Sequence, residues 1–176
     1  MIEGGKGGGR TVTGLKFEKR TDILKVIKNT PGYTVDKKHT IYFNGQQVAQ
    51  SFKKYALYVY LDLKGVDYIQ YISKRLLPDE ALYVFKNDTV FIIELKFQRT
   101  PGSVDEKLQT CDFKLRQYKK LFAPLNKKVE YVYILNDWFK KGEYKDVLEY
   151  VRSVGCEYYF DELPLNRLGL PTPEVK

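Results

Sequence analysis

The stretch 77–98 constrains the fold more than any other part of the chain. It contains two segments rich in β-branched and aromatic residues, 81–85 and 90–93, separated by the polar residues 86–89. Residues of these types favour strands, and the Asn-Asp pair between the two segments is typical of a turn. The stretch therefore predicts an antiparallel β-hairpin.

The register of this hairpin determines which polar side chains meet. With the Asn-Asp pair as turn centre, Asp79 lies opposite Lys96, and Ala81 lies opposite Glu94. Paired residues share a face of the sheet, and so do alternate residues along one strand. The side chains expected to converge at the open end of one face are therefore Asp79, Glu94, Lys96 and Gln98.

Two neighbours of these residues, Glu80 and Leu95, are expected to point to the other side of the sheet. A register shifted by one residue would destroy the convergence and would put Glu80 in the place of Asp79.

Two carboxylates and one ammonium on stiff strands suggest a metal site with a cationic partner. Hard oxygen ligands suit Mg²⁺, which keeps several waters and binds one or two carboxylates together with substrate phosphates. The lysine can orient an attacking water or stabilise the charge that builds on a phosphate. The alternative is an ordinary cross-strand ion pair at a solvated strand end.

The Pro-Asp at 78–79, followed across the hairpin by Glu-Leu-Lys at 94–96, resembles the PD-(D/E)XK signature of restriction-endonuclease-like nucleases. Three neighbouring features match the resemblance: an apolar strand before the glutamate, Gln98 directly downstream, and a helix that opens at 102–103. The resemblance covers roughly 14–160 and is strongest to small type II restriction endonucleases.

This resemblance implies a site-specific, Mg²⁺-dependent endodeoxyribonuclease that hydrolyses phosphodiester bonds in double-stranded DNA and leaves a 5′-phosphate. Mn²⁺ is expected to substitute for Mg²⁺. Cleavage of both strands needs two sites, so a homodimer on symmetric DNA is expected.

The resemblance also implies the roles of individual residues. Asp79 and Glu94 would hold the metal, and the Leu95 carbonyl would supply another hard ligand. Lys96 would serve the attacking water. Two further residues are expected to complete the catalytic set: Glu18, an additional acid on the first helix, and Gln98, which would contact the metal-bound water or nearby backbone.

The composition agrees with a nucleic-acid partner and narrows the chemistry. Lys and Arg number 30 against 22 Asp and Glu, which favours a polyanionic partner. No apolar run approaches the ~20 residues of a membrane span. Cys111 and Cys156 fit no metal spacing and indicate a reducing, cytoplasmic compartment. A single histidine, His39, excludes metal sites built from several histidines and favours carboxylate–metal chemistry.

Basic and amide side chains outside the hairpin are candidates for DNA contacts. They lie on a glycine-rich arm, on a ribbon around Asn44-Gly45, just before the Pro-Asp, and on the outer surface of a helix. The alternative for each group is an ordinary solvated surface or tail. The candidates are Lys6, Arg10, Lys37, Lys38, Gln46, Gln47, Lys74, Arg75, Lys107 and Lys114.

The pattern of the whole chain predicts an α/β fold: a central mixed sheet of about five strands, flanked by helices, with an N-terminal β-hairpin. Residues 1–12 are expected to form a flexible basic arm and 13–176 one nuclease domain. Helices are expected over 13–28, 53–64, 103–122 and 144–154, and further strands over 129–135 and 157–160.

Three other functions remain open at this level. One is a junction-resolving or repair nuclease of the same superfamily, which reads DNA shape. Another is a non-catalytic DNA-binding module whose acidic residues are only structural. The third is an enzyme that acts on RNA.

Overall fold

The computed structural model describes residues 14–17, 22–100 and 102–174. Its strands are β1 (Gly14–Lys16), β2 (Tyr33–Val35), β3 (Thr40–Phe43), β4 (Gln46–Phe52), β5 (Glu80–Val84), β6 (Thr89–Lys96), β7 (Lys128–Leu135), β8 (Glu157–Phe160) and β9 (Glu162–Pro164). Its helices are α1 (Ile23–Lys28), α2 (Ala56–Leu63), α3 (Val104–Leu108), α4 (Cys111–Phe122), α5 (Lys145–Ser153) and α6 (Leu165–Leu168).

Seven of the strands form one mixed sheet in the order β2-β3-β4-β5-β6-β7-β8. Neighbours are antiparallel from β2 to β6, and β6-β7-β8 are parallel. The expected α/β architecture is therefore confirmed. The sheet is wider than the five strands expected because the N-terminal ribbon pairs with β5, with Phe52 opposite Ala81, and so extends the sheet.

Helices cover both faces of this sheet because its central strands are buried on both sides. Ala81 and Ile92 face the apolar core that contains the buried residues of α2, α4 and α5. Their neighbours Leu82 and Phe91 face a second core, which contains those of α1 and α6. Alternate residues of one strand thus serve different cores, as the period of two requires.

Two crossovers bring three strand ends to one edge of the sheet. The connection from β6 to β7 contains α3 and α4, and the connection from β7 to β8 contains α5. Helical crossovers of this kind are what parallel neighbours require. The carboxyl ends of β6, β7 and β8 consequently lie together, which is where α/β sheets commonly bind ligands.

The helix expected over 13–28 is wrong. Its first part contains β1, which pairs antiparallel with β9, and Leu15 and Phe17 are buried two residues apart, as in a strand. The helix α1 begins only after Asp22, whose carboxylate accepts from the second amide of the helix at 2.9 Å. That cap fixes the start of the helix.

The helix expected over 103–122 is interrupted at 109–110, so that α3 and α4 are separate. This break corrects the expected continuous helix. Ser103 precedes α3 and makes no side-chain capping hydrogen bond. The apolar face of α4 is as expected, with Leu115, Tyr118 and Phe122 buried.

Within the described ranges, no helix combines the length and apolar character needed to cross a bilayer.

Glu80, at the start of β5, is completely buried on the face opposite Asp79. Its Oε1 accepts from the Ser51 hydroxyl at 2.6 Å, and its Oε2 has no partner in the described part of the chain. Burial raises the pKa of this carboxyl from the ordinary 4.5 to about 7, although Ser51 and Lys53 act in the opposite direction. The folded protein therefore holds this proton more tightly than the unfolded chain.

A carboxyl whose pKa is raised by folding adds stability that is fully present below pH 4.5 and is lost as pH rises through about 7. The Glu80→Gln variant should lose this pH dependence. At pH 8 its free energy of unfolding should be about 3 kcal/mol higher than that of the wild type. Urea unfolding of both proteins at pH 5 and pH 8 measures the difference. Equal pH dependence of the two unfolding free energies would contradict the assignment.

Candidate active site

The observed register of β5 and β6 differs from the expected one by two residues. Ala81 pairs with Ile92, not with Glu94, so the expected register is wrong. Because side chains alternate with a period of two, a shift of two leaves every side chain on its expected face. Asp79 and Lys96 accordingly remain on the face of Glu94, and Asp79 now falls opposite Glu94 when the pairing is continued.

A long-range anchor on the turn explains the shift. The turn spans 85–88, and Asp88 adopts a positive φ of 49° at its end. The Asp88 carboxylate accepts from the Tyr83 hydroxyl and from the Lys127 ammonium, both at 2.6 Å. Lys127 precedes β7, so the turn is fixed partly by a residue distant in sequence.

Lys96 lies between the two carboxylates at the carboxyl end of β6. Its Nζ is 2.7 Å from Glu94 Oε2 and 3.8 Å from Asp79 Oδ2. Glu94 is only 5 % exposed, whereas the side chain of Asp79 is 46 % exposed. The group therefore opens to solvent on the Asp79 side and is closed beneath Glu94.

The main chain of Leu95 faces the same space. Its N–H donates to Asp79 Oδ2 at 3.1 Å, and Lys96 Nζ lies 3.5 Å from its carbonyl oxygen. The Leu95 main chain thus contacts both Asp79 and Lys96.

Two buried tyrosines lie near Glu94 in the closed part of the site. Burial raises the pKa of the Tyr118 and Tyr131 hydroxyls well above the ordinary range, and the charge of Glu94 adds to the effect. Both hydroxyls therefore stay protonated at every physiological pH. The Tyr131 hydroxyl has no hydrogen-bond partner within the described residues.

Lys114 is a member of this cluster that the sequence analysis placed elsewhere. It was expected on the outer surface of its helix, but its Nζ lies 3.7 Å from Glu94 Oε1, and its side chain is only 27 % exposed. Helical spacing contained the signal: Lys114 is three residues after Cys111 and four before Tyr118, both of which are buried.

Gln98 contacts backbone rather than the carboxylates. Its side-chain nitrogen donates to the carbonyls of Thr100 and Gly102, at 2.7 and 3.3 Å. Asn136, which follows β7, exchanges two hydrogen bonds with the main chain of Gln98, at 2.7 and 3.1 Å. These contacts order the segment directly after Lys96.

The other candidate residues are distributed around the molecule. Lys37 and Lys38 are exposed on the turn before β3. The next residue, His39, accepts a hydrogen bond from the Ser51 amide near the end of β4, so this turn lies at the edge of the sheet that bears the cluster. Gln46 and Gln47 begin β4 and lie towards the opposite edge.

Among the remaining candidates, Arg75 lies over the ring of Tyr68 at 4.4 Å, and Lys74 and Lys107 are exposed. Three candidates lie outside the described residues: Lys6, Arg10 and Glu18.

The donor set of this cluster fits Mg²⁺. It offers two carboxylates and one carbonyl oxygen, all hard ligands, and Mg²⁺ completes its octahedron with water and substrate phosphate. Within the described ranges there is no group of three or more His, Cys, Asp or Glu side chains close enough to hold a metal. A site with two carboxylates therefore depends on the Leu95 carbonyl, water and substrate for its remaining ligands.

Comparison of the chain with protein-family models, with curated proteins and with solved structures finds no match.

The Asn136→Ala variant should be destabilised by about 1–3 kcal/mol, because it leaves an amide and a carbonyl of Gln98 without their partner. Urea unfolding measures the loss. Asn166→Ala removes an exposed asparagine from α6 and serves as the control. Equal effects of the two substitutions would show that the pair with Gln98 adds nothing.

Proposed function

We propose that the protein is a Mg²⁺-dependent endodeoxyribonuclease of the PD-(D/E)XK kind, which hydrolyses phosphodiester bonds in double-stranded DNA at specific sites. The observation that carries the proposal is the position of the Lys96 ammonium between Asp79 and Glu94 at the carboxyl end of β6. Adjacent strands thus hold two carboxylates and one cation within reach of a single ion and a single phosphate.

In this proposal, Asp79, Glu94 and the Leu95 carbonyl would hold the divalent ion. The ion, when bound, lowers the pKa of a water and neutralises charge on the scissile phosphate. The exposed carboxylate of Asp79 faces the side from which substrate arrives, and the buried carboxylate of Glu94 is the fixed member of the pair. Fixed ligands of this kind require little reorganisation during the reaction.

Lys96 has the role of a donor in the same scheme. An ammonium offers three N–H groups and no acceptor, so Lys96 can orient the attacking water or bind a non-bridging phosphate oxygen. The segment that follows Lys96 is held to β7 by the hydrogen bonds between Gln98 and Asn136. This support keeps the lysine at the end of its strand.

The charge distribution supports DNA as the substrate. The formal net charge is +8, and a basic protein gains affinity for DNA by releasing counterions from phosphates. Lys37 and Lys38 lie exposed at the same edge of the sheet as the cluster. They are the described cations that we assign first to the DNA backbone. A homodimer would supply the second site that double-strand cleavage requires.

Digestion of a plasmid of known sequence in Mg²⁺, with the ends mapped by sequencing, tests the function directly. Defined ends that carry 5′-phosphates would support a site-specific nuclease. Cleavage confined to branched DNA would support the junction-resolving alternative, and cleavage of RNA alone would support the RNA-directed one. DNA binding without cleavage in Mg²⁺ or Mn²⁺ would favour the non-catalytic module.

The Asp79→Ala and Lys96→Ala variants should each lose cleavage by at least about a hundredfold, because each removes a group that stabilises charge in the transition state. DNA binding, measured by fluorescence anisotropy at constant salt and without divalent ions, should stay near the wild-type value. Asp62→Ala, which removes an exposed carboxylate from α2, is the matched control and should cleave normally. Wild-type cutting rates in either site variant would refute the assignment.

A further inference from the structure

The carboxylate of Glu94 is contacted by two ammonium groups from different elements. Lys96 of β6 lies 2.7 Å from Oε2, and Lys114 of α4 lies 3.7 Å from Oε1. Both lysine side chains are largely buried, at 18 % and 27 % exposed. A glutamate buried to this extent needs charged partners, because an isolated carboxylate would be strongly disfavoured there.

The two lysines balance the two carboxylates. With Asp79 included, the cluster contains two negative and two positive side chains, so its formal charge is zero. Moreover, the Lys96 ammonium lies between Asp79 and Glu94, which is where an ion bound to both would lie. A divalent cation must therefore move one ammonium aside and approach a second.

We propose that Lys114 is a positioning residue of the site, which acts through Glu94, and that Lys96 and Lys114 together make uptake of the divalent ion depend on the anionic substrate. This inference rests on the proposed function. The phosphate supplies the negative charge that the displaced Lys96 ammonium needs. As a consequence, the ion binds the protein–DNA complex more tightly than it binds the free protein. Equally, DNA binds the ion-loaded protein more tightly than the ion-free protein, which is a coupling between two ligands.

Titration of the substrate-free protein with Mn²⁺, followed by the electron paramagnetic resonance signal of the free ion, tests the proposal. The Lys96→Met and Lys114→Met variants should each bind Mn²⁺ about tenfold more tightly than the wild type, because each removes a positive charge a few ångströms from the ion. Lys114→Arg keeps the charge and should bind Mn²⁺ as weakly as the wild type.

Lys120→Met is the matched control, since Lys120 lies on the same helix but is exposed to solvent; its Mn²⁺ affinity should equal that of the wild type. Circular dichroism shows whether each variant is folded, and Lys114→Gln replaces Lys114→Met if the latter is not. Affinities in Lys96→Met and Lys114→Met that equal the wild-type value, or fall below it, would overturn the proposal.

The reciprocal measurement uses a labelled duplex that carries the site mapped on the plasmid. Linkage requires the ion to tighten DNA binding by the same factor by which DNA tightens ion binding. Adding Ca²⁺ at constant ionic strength should tighten DNA binding by the wild type at least about tenfold, and should have a smaller effect on Lys96→Met and Lys114→Met. An equal effect on all proteins would also overturn the proposal.

These outcomes separate the two levels of inference. A wild type that cleaves the plasmid, with Mn²⁺ affinities unchanged in the variants, would defeat the role of the lysines alone. A wild type that neither cleaves DNA nor binds Mn²⁺ under any condition would defeat both the proposed function and this inference.

Discussion

Antiparallel pairing of β5 with β6 determines which side chains face each other at the carboxyl edge of the sheet. The strand β6 is buried on both faces, with Ile92 in one core and Phe91 and Ile93 in the other. A slip of one residue would exchange these faces and carry Glu94 into the second apolar core. Burial of a large apolar side chain contributes about 1.5–3 kcal/mol, so the cores on both sides hold the register that the site requires.

The buried carboxylate of Glu94 carries the largest desolvation cost in this arrangement. Removing a carboxylate from water costs several kcal/mol, and only well-placed partners offset that cost. Lys96 and Lys114 supply the opposite charge from two elements, one on the sheet and one on the helix α4. In the proposed function, the same two lysines that stabilise Glu94 in the folded protein would also set the electrostatic conditions that an incoming ion meets. Stability and proposed function are thus joined at a single side chain.

Much of this arrangement could be predicted from local sequence patterns. Alternation along 81–85 and 90–93 predicted the faces on which Asp79, Glu94 and Lys96 lie, and the structure places them together. The predicted orientations of these side chains are correct although the predicted register is wrong, because the register differs by two residues and a strand has a period of two. A local sequence pattern is therefore sufficient to predict on which face of the sheet a side chain lies, because that face depends only on the period of the strand.

Other features depend on contacts between distant parts of the chain and were missed for that reason. The turn between β5 and β6 is fixed partly by Lys127, which contacts Asp88 from just before β7. The strand β1 forms only because β9 is available as its partner, so helical spacing was misleading there. Lys114 illustrates a third case: its spacing from Cys111 and Tyr118 was visible, but only the packing of α4 on the sheet brings it to Glu94.

The central claim is that Asp79, Glu94 and the Leu95 carbonyl form one divalent-ion site. A crystal structure of the protein bound to DNA and Mn²⁺, with anomalous data collected to locate the ion, tests this claim most directly. The account predicts an anomalous peak in contact with an oxygen of each of the three residues, with the Lys96 ammonium displaced towards the scissile phosphate. A peak elsewhere, or none at this position at saturating Mn²⁺, would contradict it.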